Sequence, residues 1–204
     1  MAAAEAGAGR AVFQVRIHGR GGQGVVTAAE LLSVAAFDDG RHAQAFPSFG
    51  SERTGAPVVA FCRIDERAIR TREPVSRPDA LVVQDATLLH QVDVFGGLSP
   101  DGYVLINSGR SLEELGLGDW TADFRAGRLL TVGASEISRR QLGPSRPNAA
   151  LLGGLAALTG VVSLDSVVQA IESRFAGALA PGNIAAAREC HETVGAALAV
   201  FAGA

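Results

Sequence analysis

The sequence predicts an α/β fold of three layers, α/β/α, built on a mixed and mostly parallel sheet with a helical C-terminal region. Three observations predict it. Short apolar runs rich in β-branched residues alternate with segments at helical spacing. The first such run passes straight into Gly19, Arg20, Gly21, Gly22, Gln23 and Gly24, a Rossmann-like glycine loop between a strand and a helix. From Pro147 onward the pattern changes to helix after helix.

Val12 to His18 is apolar and β-branched and reads as the opening strand. Val25 to Phe37 keeps apolar residues at helical spacing without glycine or proline, so a helix follows the glycines. The next strands are Arg41 to Phe46 and Val58 to Ile64. No helix separates them, which predicts antiparallel neighbours and hence a mixed sheet. Ala80 to Gln84, Tyr103 to Asn107 and Leu129 to Val132 complete the strands. Asn148 to Thr159 is a helix of small apolar residues, with Asn148 as a candidate cap. Leu164 to Phe175 is capped by Ser163 with Asp165 in its first turn, and Asn183 to Phe201 is alanine-rich.

A chain of 204 residues, 48% hydrophobic and 19% charged, is expected to form a single domain over residues 11–204 behind a disordered leader over residues 1–10. A net charge of -3 shows no basic field for nucleic acid. The leader lacks the features of a secretory signal, and no segment stays apolar long enough to cross a bilayer, so the expected location is the cytoplasm. Lysine is absent, which removes Schiff-base and lysine-nucleophile chemistry. Cys62 and Cys190 lie far apart and form no C-x-x-C pair, so no iron–sulfur cluster or zinc site follows from this chain. Both read as buried packing groups.

Glycine admits positive φ and close approach of a ligand, while the first amides of the following helix lack partners and sit at its positive end. Such a junction suits phosphate or carboxylate. Gly19, Gly21 and Gly24 fit the spacing of dinucleotide-binding folds, but the acid expected after the second strand is missing, because that strand ends in Pro47 and Ser48. An ordinary dinucleotide site and a tight turn without a ligand stand as alternatives. Arg20 can neutralise a phosphate or a partner carboxylate, and Gln23 can donate to the same group. The loop from Phe46 to Pro57, FPSFGSERTGAP, carries Glu52 and Arg53, which either orient each other at the mouth of a site or bridge to a neighbour. Gly109 to Thr121 reads as a surface connection. Asn107 ends a strand where open α/β sheets place ligand contacts. His18 stands before the first glycine, but no nucleophile or orienting carboxylate accompanies it, so it reads as a hydrogen-bonded structural group and no catalytic residue is assigned. His42, His90 and His191 lack ligand spacing, and no metal site is assigned.

The order of features, a strand, GRGGQG, a helix, then PSFGSERTGAP leading into VVAFCRI, resembles the gamma subunit of the 2-oxoacid:ferredoxin oxidoreductases, the pyruvate/ketoisovalerate oxidoreductase gamma domain. The similarity continues through RPDALVVQDATLL at Arg77 to Leu89, DGYVLINS at Asp101 to Ser108 and RPNAALLGGLAALTG at Arg146 to Gly160. In one place the chain departs from it: Thr54 replaces the first of two glycines after the loop arginine.

The resemblance implies an accessory subunit of a complex that oxidatively decarboxylates a 2-oxoacid to an acyl-CoA. Thiamine diphosphate, its magnesium and the iron–sulfur clusters would reside on alpha, beta and delta-type partners, with ferredoxin or an NAD-linked acceptor taking the electrons. This chain would bind no cofactor alone but would help complete the coenzyme A site, at Gly19, Arg20, Gly21, Gly22, Gln23, Gly24, Glu52, Arg53 and Asn107. The alternative is a free-standing dinucleotide-binding oxidoreductase or regulator.

Overall fold

Six strands form one mixed sheet in the order β2-β3-β1-β4-β5-β6. The computed structural model describes residues 12–48, 54–143 and 146–203. The expected leader, Glu52 and Arg53 lie outside the described residues. The strands are β1 (Phe13–Arg20), β2 (His42–Pro47), β3 (Pro57–Asp65), β4 (Ala80–Val83), β5 (Tyr103–Asn107) and β6 (Leu129–Val132). The helices are α1 (Val25–Asp38), α2 (Gly118–Thr121), α3 (Ala134–Leu142), α4 (Asn148–Thr159), α5 (Leu164–Arg174) and α6 (Leu179–Ala202), with a 3-10 turn at Ala86–His90.

β2 and β3 pair antiparallel as their direct connection requires, β3 pairs antiparallel with β1, and β1, β4, β5 and β6 run parallel. After β1 the chain crosses to β2 on one side of the sheet; after β4 it goes to β5 on the other. The carboxyl ends of β1 and β4 therefore flank a topological switch point, where such folds place ligands.

Alternation along β1 divides the faces. Val15 and Ile17 enter the main core with Leu31, Leu32 and Ala35 of α1 and Leu151 and Leu155 of α4. Arg16 and His18 point to the opposite face, where Arg16 donates to the carbonyls of Val94 and Gly96 at 2.9 and 2.7 Å. That second face is covered by the 3-10 turn, α2 and the loops around them. Trp120 packs between Phe95 and Phe124, with ring centroids 4.0 and 4.4 Å away. The segment from Gly109 to Thr121 is thus more than a surface connection: Leu115 and Leu117 in it are buried against β4 and β5.

α4 is buried on all sides apart from Ala157 and Thr159. Its small residues explain why a helix fits there. A Cβ on Gly153 would stand 2.0 Å from the Ala187 carbonyl oxygen, so α6 lies against α4 at backbone contact. Ser163 caps α5 as expected, accepting from the Ser166 amide at 3.1 Å.

Several boundaries differ from the sequence expectation. β1 runs on through Gly19 and Arg20, because Val58 and Pro57 of β3 pair with them. α6 begins at Leu179 and not at Asn183. α3 is an additional helix; Asn107 Oδ1 accepts from the Ser135 amide at 3.0 Å in its first turn. Asn148 does not cap α4: it is the first helical residue, and the helix has no side-chain cap. Among the described residues no helix is long and apolar enough to cross a membrane.

Candidate functional site

The glycine run leaves β1 at Arg20 and reaches α1 in four residues, and two of its glycines carry the turn. Gly22 has φ 91° and Gly24, at the N-cap position, has φ 75°. Both values favour a residue without Cβ. Gly19 serves another purpose: it keeps extended strand geometry, but a Cβ there would stand 2.6 Å from Val25 Cγ2 and 3.2 Å from Gln84 Cβ. It lets α1 close on the sheet.

α1 has no side-chain cap and no acid in its first turn, and its first intrahelical bond runs from the Ala28 amide to the Gly24 carbonyl at 2.9 Å. The amides of Val25, Val26 and Thr27 precede that bond and have no partner within the helix. An uncapped positive terminus of this kind attracts an anion.

A cleft of about 330 Å³ opens beside this terminus. Gly22, Gln23, Gly24 and Thr27 form one wall, Leu142, Arg146 and Asn148 another, and Arg174, Phe175, Leu179 and Asn183 the third. Five helices thus end on it, with the starts of α1, α4 and α6 and the ends of α3 and α5 converging. Among the described residues its lining holds two arginines and no aspartate or glutamate, which gives it a positive field. Asn148 is only 6% exposed, and among the described residues its Oδ1 has no hydrogen-bond partner. Buried polar atoms are rarely left so. A second depression of about 280 Å³, which shares Gly22, Gly24 and Thr27 with the first, is lined by Arg20, Gly21, Val25 and Val58 among others.

The crevice between the ends of β1 and β4 is filled by the protein itself. Asp85 accepts from Arg20 Nε at 3.1 Å and from Gln23 Nε2 at 2.9 Å, while its other oxygen accepts from the Thr87 amide at 3.0 Å. Burial disfavours the charged carboxylate, but the hydrogen bonds from Thr87 and Gln23 and the charge of Arg20 outweigh it and hold the group below its usual range. Arg20 also donates to the Gly55 carbonyl at 3.0 Å and to Gln91 Oε1 at 2.8 Å. Thr54 joins the loop in turn through a bridge to Gly21.

The expected site residues are therefore brought together unequally. Gly22, Gln23 and Gly24 line the cleft. Arg20 and the Gln23 amide, expected to meet a ligand, are engaged by Asp85 instead. Asn107 sits at the end of β5, but its amide donates to the Gln84 carbonyl and to Ser135 Oγ, both at 2.8 Å, and serves the fold. His18 also differs from its expected role. It is 4% exposed, and neither ring nitrogen has a partner among the described residues. Burial, then the charge of Arg16, lowers its pKa to about 4 against a smaller opposing effect of Asp93, so the ring is neutral. Arg146, Arg174 and Asp85 were not assigned to the site from sequence. Arg146 and Asp85 do fall inside RPNAALLGGLAALTG and RPDALVVQDATLL.

The sequence profile of the family described as pyruvate ferredoxin/flavodoxin oxidoreductase matches residues 14–193. The chain is 44% identical over 185 residues to pyruvate synthase subunit PorC of Methanothermobacter thermautotrophicus, covering 90% of this chain and 96% of that one. It is 46% identical over 181 residues to the pyruvate/ketoisovalerate oxidoreductases common subunit gamma of Pyrococcus abyssi, covering 89% and 96%. Among solved structures it is similar to pyruvate oxidoreductase subunit PORC of Thermotoga maritima, with a TM-score of 0.76 and 35% identity over 90% of this chain and 97% of the other.

Proposed function

The chain belongs to the pyruvate ferredoxin/flavodoxin oxidoreductase family, and from that premise we propose that it is the gamma subunit of a multi-subunit 2-oxoacid oxidoreductase whose glycine-loop cleft receives an anionic end of coenzyme A. The reaction breaks the bond between the carboxylate and the carbonyl carbon of the 2-oxoacid and releases carbon dioxide. The acyl group passes to the coenzyme A thiol, whose proton is released, and two electrons pass to ferredoxin or an NAD-linked acceptor. This chain acts on the acyl acceptor. The uncapped start of α1 with Arg146 and Arg174 binds phosphate, and the apolar side chains of Leu142, Phe175 and Leu179 offer a surface for a ring. A cleft of about 330 Å³ lies at the small end of ligand pockets, about 300–1,000 Å³, so it suits one end of so long a molecule.

We place thiamine diphosphate with its magnesium and the iron–sulfur clusters on alpha, beta and delta-type partners. Clusters need thiolates close together, whereas Cys62 lies in β3 and Cys190 in α6, both buried and free. Among the described residues no three His, Cys, Asp or Glu side chains gather into a ligand set. A dinucleotide at the switch point is disfavoured by the Arg20–Asp85 pair that fills it.

The observation that carries the reading is a cleft at an uncapped helix start whose lining, among the described residues, holds two arginines and no acid. In the complex assembled by co-expression with its partner subunits, R146A and R174A should each raise the KM for coenzyme A about 10- to 100-fold. That is the factor for loss of a charged hydrogen bond of about 1.5–3 kcal/mol. The KM for the 2-oxoacid should stay unchanged, and the isolated chain should show no turnover. An unchanged coenzyme A KM in both variants would overturn the reading.

A further inference from the structure

We propose that Asp85 is a positioning residue for the acyl-acceptor site, a latch that fixes the glycine loop against segment 54–57 and so sets the direction of the uncapped α1 amides. The inference rests on the reading of the cleft as a coenzyme A site. Asp85 does not line that cleft; it acts through residues that do or that adjoin them. One carboxylate oxygen accepts from Arg20 Nε and Gln23 Nε2, and the other from the Thr87 amide and, at 2.5 Å, from Thr87 Oγ1. Four donors from three places in the chain converge on one side chain.

Each donor carries the constraint further. Gln23 lines the cleft and accepts from the Arg20 amide at 2.8 Å through Oε1, which closes the loop on itself. Arg20 reaches the Gly55 carbonyl, and there the backbones lock: Gly21 donates to the Ala56 carbonyl at 2.9 Å and Gly55 donates to the Gly21 carbonyl at 3.1 Å. Gly22 has a φ of 91°, and among the described residues nothing beyond its chain neighbours lies within 4 Å of where its Cβ would stand. Its place is set from either side, by Gly21 and by Gln23. A neutral amide cannot replace the carboxylate. Each carboxylate oxygen receives two donors, so whichever way an amide turned, its NH2 group would present a donor to donors, from Arg20 and Gln23 or from the Thr87 amide.

The test uses the co-expressed complex. D85N should raise the KM for coenzyme A roughly tenfold, the factor that corresponds to about 1.4 kcal/mol of lost binding. The kcat and the KM for the 2-oxoacid should stay within about twofold. A merely structural role would worsen all three parameters together in the assembled complex, with kcat lower and both KM values higher, and that result overturns the latch. R146A is measured alongside. A raised coenzyme A KM for R146A with an unchanged one for D85N overturns the latch and keeps the site. Unchanged values in both overturn the site reading and the latch with it. Should D85N fail to assemble, T87V decides in its place: it removes one bond to Asp85 and one from Arg20, and a selective rise supports the latch while no change overturns it.

Discussion

The buried amide of Asn148 lies against Gly24: a Cβ at residue 24 would stand 2.7 Å from Asn148 Nδ2. The first turn of α4 and the N-cap of α1 thus meet with no room for a side chain between them.

Gly24→Ala is therefore expected to act twice. A non-glycine residue at φ 75° costs about 1–2 kcal/mol, and the new methyl displaces Asn148 from the cleft wall. Urea unfolding of the isolated chain should show the stability loss, and the complex should show a higher coenzyme A KM. Gly22→Val makes the contrast. A Cβ there meets nothing within 4 Å, so the stability loss comes from backbone strain at φ 91° without a clash, and the added side chain on this cleft-lining residue should also cost coenzyme A use.

Gly153→Ala should be among the most destabilising single methyl additions in the chain. The added carbon would lie 2.0 Å from a backbone oxygen of α6, which cannot rotate away. A loss of about 3 kcal/mol or more in urea unfolding is expected, the upper end for overpacking. Gly154→Ala, which meets the Cys190 thiol and Leu105 at 3.0 Å, should cost less.

His18 gives stability a pH dependence. Its pKa falls from 6.5 to about 4 on folding, so between those values the unfolded chain binds a proton that the native chain declines. Stability contributed by the neutral ring is complete above the unfolded value and is lost as pH falls through the window. The slope reaches about 1.4 kcal/mol per pH unit. His18→Gln should flatten the curve there. Asp85, whose pKa is held below its usual 3.8, contributes in a different window: its share is lost only at more acid pH.

Neither cysteine should react in the native state. Burial pushes the Cys190 thiol up to about 12 and Cys62 higher still, so thiolate is scarce at neutral pH. A colourimetric thiol reagent at pH 8 should detect no thiols until denaturant is added. Fast labelling of either would show that β3 or α6 opens locally.

Local pattern exposed much of the fold. The strands Tyr103 to Asn107 and Leu129 to Val132 and the helix Asn148 to Thr159 have the expected boundaries, because apolar spacing and turn residues agree there. Other features depend on distant partners. Gly19 and Arg20 look like loop in isolation, and only the neighbouring Val58 and Pro57 make them strand. α3 has a polar sequence, ASEISRRQL, and an anchor supplied from β5 by Asn107. The glycine loop was legible as a strand-to-helix turn because glycine and a following helix are local signals. The pairing of Arg20 with Asp85 spans 65 residues and leaves no periodic trace. Arg146 and Arg174 become neighbours of Gly24 only when the ends of five helices meet.

Backbone contact between Gly153 and Ala187 also governs how the cleft can adapt. Asn148 belongs to α4, and Leu179 and Asn183 to α6, and these two helices cannot slide past each other without collision. The walls that Asn148 and Leu179 with Asn183 contribute therefore hold a fixed spacing. Any adjustment of the cleft falls to the side chains of Arg146 and Arg174, and a molecule of the wrong shape should be refused and not accommodated.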